Sequence, residues 1–183
     1  MPGVVALSGN PRPHSRTLGA AEAAAGHIAA LVDGATPVTT IDLAAFAAEI
    51  LAAEHPTADA ALKTLSGASI AVIATPVYKA SYTGLLKSFL DLYGAGGLAG
   101  VVAVPLVVSA SPAHSFAGEV HLRPLLVELG AVVPTPSLAL VEAQLADLEP
   151  AIDAWLDDAG PALLAALPVF LPAGLLRTGT TGQ

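Results

Sequence analysis

The 183-residue chain contains no cysteine. That absence excludes a disulfide framework, a thiolate metal centre, an iron–sulfur cluster and a cysteine nucleophile. Charge is scarce as well: charged residues make up 12% of the chain, about half the usual share in soluble proteins. Seven are Lys or Arg against 15 Asp or Glu, for a formal net charge of −8. A nucleic-acid partner needs a basic stripe, and none is present, so nucleic acid is excluded as a partner. Long hydrophobic runs are missing too, although 54% of the residues are hydrophobic. A spanning helix needs about 20 continuous apolar residues. The charge-free stretch 92–113 is cut by Gly94, Gly96, Gly97, Gly100 and Pro105, and the stretch 159–176 by Pro161, Pro168 and Pro172. No Lys or Arg precedes the first apolar run, so no secretory signal is expected. The expectation is a cytoplasmic protein with no membrane contact. The high mean hydropathy of +0.70 predicts an apolar surface covered by further copies of the chain, as a homodimer or homotetramer.

What is present is a regular alternation. Residues 3–8, 38–41, 69–74, 101–108 and 132–140 are short apolar runs rich in β-branched residues and read as strands. Segments 15–32, 56–65, 83–93, 114–129 and 142–167 read as helices, with Pro124 a kink or the start of a second helix. Residues 43–53 fit neither pattern. Strands apolar on both faces, alternating with helices, call for a flavodoxin-like, doubly wound α/β fold: a five-stranded parallel sheet in the order 2-1-3-4-5. The expected organisation is one domain over 1–176 and a disordered tail over 177–183.

In such a sheet, ligands bind beyond the carboxyl ends of the strands, where the strand order reverses. Here that point lies between the first and third strands, which directs attention to the loops 8–17 and 75–83. The few cations gather in this neighbourhood. Arg12, Arg16, Lys79 and Lys87 all fall within 8–17 and 75–91. The first loop opens a helix, where free backbone N–H groups and the helix dipole favour an anion. Ser15 and Thr17 add hydroxyl donors, and Arg12 a charged one. The competing reading is an ordinary turn in which Ser15 caps the helix and the arginines sit in water. The second loop offers Pro76, Tyr78 and Tyr82 as flat apolar surface for a ring, or these side chains pack against neighbouring loops. Lys87 and Asp91 suit a solvent-facing i,i+4 pair.

Other chemistries leave no trace. There is no Gly-Lys-Ser/Thr element, no Gly-x-Gly-x-x-Gly, no Gly-x-Ser-x-Gly and no His-Glu-x-x-His. The histidines (His14, His27, His55, His114 and His121) have no metal-ligand spacing, so no metal is expected. Of these, His14 and His114 lie in the candidate ligand loops.

The run Thr75-Pro76-Val77-Tyr78-Lys79-Ala80-Ser81-Tyr82-Thr83-Gly84-Leu85-Leu86-Lys87 is distinctive. Together with Gly9-x-Pro11-Arg12-x-x-Ser15-Arg16-Thr17 it resembles the NADPH-dependent FMN reductase family, specifically its alkanesulfonate-type members. A third stretch, from Ala113-His114 through Leu122-Arg123-Pro124-Leu125-Leu126, is similar to the helix after that family's fourth strand. The resemblance spans residues 3–140. It implies an FMN phosphate held by Arg12, Ser15 and Thr17 with loop amides, Gly9, Asn10 and Arg16 completing the phosphate loop. It implies the isoalloxazine and ribityl chain against Pro76, Val77, Tyr78 and Lys79, and a loop of Ser109, Ala110 and Ser111 beside the flavin. Three positions depart from the family. Asn10 stands in place of Ser, Ser109-Ala110 in place of Gly-Gly, and Glu119-Val120-His121 where an additional Tyr is common.

The implied activity is that of an NAD(P)H-dependent FMN reductase. Hydride passes from NADPH or NADH to flavin N5 without a protein acid or base, and reduced FMN then serves a flavin-dependent monooxygenase. The alternatives are a reductase that keeps FMN bound and reduces quinones or other small acceptors, or a non-catalytic flavin-binding electron carrier.

Overall fold

Strands with apolar residues at every position must be covered on both faces. In the computed structural model, which describes residues 3–32 and 36–167, five such strands form one parallel sheet. They are β1 (Val4–Ser8), β2 (Val38–Asp42), β3 (Ile70–Pro76), β4 (Val102–Ser109) and β5 (Leu138–Val141), in the order β2-β1-β3-β4-β5. The expected fold and strand order are therefore observed. The expected tail, 177–183, lies outside the described residues.

Alternation along each strand sorts the core into two layers. Val4 and Ala6 of β1, Ile70, Val72 and Ala74 of β3, and Val104 and Leu106 of β4 pack with α1 (Arg16–Val32) and α5 (Glu149–Ala166). The intervening Val5, Leu7, Ala71, Ile73 and Val107 pack with α2 (Pro56–Ser66), α3 (Gly84–Leu90) and α4 (Arg123–Glu128). The buried stripe of α1 is mostly alanine, Ala20, Ala21, Ala24, Ala25 and Ala29. Small side chains bring this helix close to the sheet and give it high intrinsic helicity.

Three elements differ from expectation, each time through proline. The strand expected over 132–140 is interrupted. Val132 makes a single bridge to Val102, and the ladder resumes only at Leu138 opposite Leu106. Ala103 N–H donates to Val132 O at 2.8 Å, so this side of β4 faces the interrupted strand. Two residues on, Pro105 has no N–H to offer there, and Pro134 and Pro136 have none to return. The helix expected over 114–129 becomes a short 3₁₀ segment (Pro112–His114), a π-turn (Gly118–Leu122) and then α4, with Pro124 in its first turn. Pro124 lacks the N–H that would close an α-turn on Val120, and Arg123 N–H reaches back to Gly118 O. The helix expected from 142 begins at Glu149, after a 3₁₀ segment (Glu142–Ala146) and an extended Asp147, with Pro150 in its first turn. Among the described residues, no helix is long and apolar enough to cross a membrane.

The interrupted strand is held by one ion pair. Arg123 Nε donates to Glu119 Oε2 at 2.6 Å, and its Nη1 donates to Val133 O at 2.8 Å, with Nη2 donating to Thr135 O. Glu119 also accepts from Ser137 Oγ at 2.7 Å. Arg123, and then the bonds from Ser137, outweigh burial and lower the Glu119 carboxyl to about 2. A depressed carboxylate stabilises the fold above its unfolded value and loses that contribution as pH falls through the folded one. Acid unfolding followed by circular dichroism should therefore contain a component between pH 4.5 and about 2. That component should vanish in Glu119→Gln, which lowers stability at neutral pH but flattens this part of the profile.

Candidate functional site

The strand order reverses between β1 and β3, and both connections leave the same edge of the sheet. The loop after β1 turns sharply at Gly9, whose N–H donates to Ala74 O of β3 at 2.8 Å. A Cβ at Gly9 would lie 2.6 Å from Leu86 Cβ, so α3 packs directly on this turn. Thr83 joins the two loops. Its hydroxyl donates to Gly9 O at 2.6 Å and accepts from Leu86 N–H at 3.1 Å, capping α3, while its own N–H donates to Thr75 Oγ1 at 3.1 Å.

The rest of the first loop is tied internally. Asn10 accepts from Arg12 N–H through Oδ1 at 3.0 Å and donates through Nδ2 to Thr17 Oγ1 at 3.0 Å. Ser15 caps α1, accepting Leu18 N–H at 3.2 Å. Both Ser15 and Thr17 act in these bonds as acceptors, which leaves each hydroxyl proton available to donate. His14, at φ 52°, donates its N–H to Asp42 Oδ2 at the end of β2, at 3.0 Å. The loop thus presents the first turn of α1 and two hydroxyls in a fixed frame. The Arg12 guanidinium has no protein partner among the described residues.

On the other side, β3 ends at Pro76, and Val77 N–H donates to Val108 O at 2.8 Å. Tyr78 and Ser81 then exchange both backbone bonds, at 2.9 and 3.1 Å, around Lys79 and Ala80. Those two central residues have φ of 52° and 65°, the left-handed pair of a type I′ turn made without glycine.

Between the two loops lies a cavity of about 570 Å³, within the range of small-molecule sites. One end is polar and cationic, with Asn10, Arg12, Ser15, Arg16 and Thr17. The other is largely apolar, with Pro76, Val77, Tyr78, Val108 and Ala110. Nine of the 13 residues expected at a cofactor site thus come together. The other four lie elsewhere. Gly9 is buried under the loop, bonded to Thr83. Lys79 is exposed at the tip of its turn. Ser109 is buried and donates to Ser111 O at 2.8 Å, and Ser111 caps the short helical segment after it. Of the Ser109-Ala110 pair, therefore, only Ala110 adds a Cβ to the cavity wall. Lys87 is also remote from it, paired with Asp91 at 2.6 Å as an i,i+4 pair. His14 lines the cavity, whereas His114 sits 6.5 Å from the Phe116 ring centroid.

Sequence reasoning missed Glu142 and Leu145, which close the cavity from the 3₁₀ segment after β5. Glu142 Oε2 accepts from Arg16 Nη2 at 3.0 Å. No local signal marks this contact, because its partners are 126 residues apart.

This is a flavodoxin-like α/β protein with a cavity at the point where the strand order reverses, polar and cationic at one end and largely apolar at the other. The model of the NADPH-dependent FMN reductase family matches residues 2–145, and the chain belongs to that family. Over 75 residues it is 44% identical to the FMN reductase (NADPH) of Escherichia coli K12, a match covering 39% of each protein. The alignment thus spans well under half the length of that relative. A longer match, 32% identity over 153 residues and 80% of each chain, is to the NADH-dependent FMN reductase SfnF of Pseudomonas fluorescens. Among solved structures, the apo form of an NADH:FMN oxidoreductase (EMOB) superposes with TM-score 0.70 at 33% identity, covering 91% of this chain and 87% of that one. An oxidoreductase from Corynebacterium diphtheriae superposes with TM-score 0.78 at 27% identity, covering 91% and 97%.

The bonds at Thr83 predict the effect of removing its hydroxyl. Thr83→Val keeps the shape but leaves Gly9 O and Leu86 N–H buried without a partner. It should destabilise the protein by about 1–3 kcal/mol per orphaned group, read as a lowered midpoint in urea unfolding. An unchanged midpoint would show that the two loops are held together by other contacts.

Proposed function

We propose that the protein is an NAD(P)H-dependent FMN reductase. The observation that carries this reading is the two-ended cavity: hydroxyls, an unpaired guanidinium and the first turn of α1 at one end, a proline–tyrosine shelf at the other. These residues fit FMN. Arg12, Ser15, Thr17 and the loop amides would hold the phosphate, and Pro76, Val77, Tyr78 and Ala110 would lie along the ribityl chain and ring. Bound there, FMN supplies the two-electron chemistry, accepting hydride from NADPH or NADH. The chain's own part is to bind, orient and exclude water. Among the described residues no pair of side chains at the cavity is set up as acid and base, and the reaction needs none. Reduced FMN would then pass to a flavin-dependent monooxygenase, with the protein acting in the cytoplasm.

The first test is a visible spectrum with added FMN, followed by NADPH and NADH oxidation at matched concentrations. Spectral perturbation with FMN-dependent turnover is expected. Binding without turnover would favour the electron-carrier reading, and turnover only with an added quinone the small-acceptor reading. Arg12→Ala should weaken FMN by about 1.5–3 kcal/mol, the worth of a charged hydrogen bond, and leave riboflavin nearly unaffected. Equal losses for both flavins would remove Arg12 from the phosphate site.

The chain is also proposed to assemble with itself, as a homodimer or homotetramer. Phe116, Val120, Val127 and Val132 are each 43–57% exposed along one stretch of sequence. Sedimentation should give at least twice the 18.1 kDa chain mass. A monomer at micromolar concentration would overturn the assembly.

A further inference from the structure

Among the described residues, five ionisable side chains line the cavity, Arg12, His14, Arg16, Tyr78 and Glu142, and Glu142 is the one carboxylate among them. Glu142 is out of place at a site for a phosphate. A carboxylate only accepts hydrogen bonds, so it has nothing to give a phosphate and repels its charge. Its position is nonetheless built. Gln144 Oε1 accepts Val141 N–H at 2.8 Å and fixes the turn that carries Glu142. From that turn Glu142 reaches across the cavity mouth to Arg16, at 3.0 Å, in the first turn of α1. Both side chains are more than half exposed, so the pair contributes little to folding.

We propose that Glu142 sets the affinity of the phosphate site by withholding Arg16 from the phosphate and placing a negative charge on the cavity wall. The proposal rests on the FMN reading above and deepens it. Of the two arginines at the cavity, Arg12 has no side-chain partner among the described residues and is available to the phosphate, while Arg16 is engaged by Glu142. The result is a site that selects FMN over riboflavin yet lets it go. A reductase that hands reduced FMN to another enzyme needs that property.

The test compares the parent, Glu142→Gln, Arg16→Gln and the double variant, titrated with FMN and with riboflavin at low and high salt. Unfolding curves confirm that each is folded, and Glu142→Ala serves as a second replacement. Loss of the carboxylate should tighten FMN binding about tenfold at low ionic strength and leave riboflavin within about twofold. The gain should shrink as salt is raised. It should also be smaller when measured between Arg16→Gln and the double variant, because no guanidinium is then released. Unchanged or weaker FMN binding in Glu142→Gln would overturn the proposal, as would an equal gain for riboflavin. An equal gain with and without Arg16 would overturn the withholding. If the parent itself does not prefer FMN to riboflavin, the FMN reading falls and this inference with it. If the parent does prefer FMN, a failed gain overturns this inference alone.

Discussion

The hydroxyl of Thr83 is the joint on which the site depends. Two loops leave neighbouring strands at the switch point, and nothing in a parallel sheet obliges them to stay together beyond the last ladder bond. Thr83 supplies that constraint. It donates to the first loop at Gly9, accepts from the start of α3, and through its N–H holds the end of β3 at Thr75. The group is 3% exposed, so each of these bonds is made without competition from water. The loop after β1 and the loop after β3, the two walls of the cavity, are therefore tied to one another at their base by one bond of 2.6 Å and two of 3.1 Å.

The cavity's electrostatics follow from how few charges the chain has. With seven Lys and Arg in all, each one's partner matters. Lys87 pairs with Asp91 on its own helix, and Arg123 is spent on Glu119 and the interrupted strand. Arg16 is shared with Glu142, and Arg12 lines the cavity with no side-chain partner for its guanidinium among the described residues. Crowding of cations around the two loops thus overstates the positive charge a ligand would meet. What the polar end offers instead is geometry: backbone N–H groups at a capped helix start, with the hydroxyls of Ser15 and Thr17 already oriented by their other bonds.

Much of this was legible in the residues. Strand order and the cavity's two principal walls follow from apolar runs, the Gly9-Asn10-Pro11 turn, and the rule that ligands gather where strand order reverses. Where the structure departs from the sequence pattern, the cause is for the most part an interaction between distant residues. The break in the last strand depends on Pro105 of β4 as well as on the prolines of the strand itself. Which way Ser109 turns is likewise not written in its own neighbourhood: its hydroxyl donates to Ser111 O, and Ala110 is the residue of that loop at the cavity wall. Glu142 and Leu145 carry no local pattern, and only the closing of the sheet brings them to the site.

The turn at Tyr78–Ser81 carries a further consequence. Holding Lys79 and Ala80 in the left-handed region costs about 1–2 kcal/mol per residue, a penalty that glycine would escape. The same restriction narrows what the turn can do. An L-residue forced into that region has few neighbouring conformations, whereas glycine has many. Selection for stability alone would drift these positions toward glycine and soften the shelf beside Tyr78. With Lys79 and Ala80 in place, the turn that follows Tyr78 has a narrow range of backbone conformations, so a glycine-substituted version would gain stability at the turn and lose restriction beside the cavity wall.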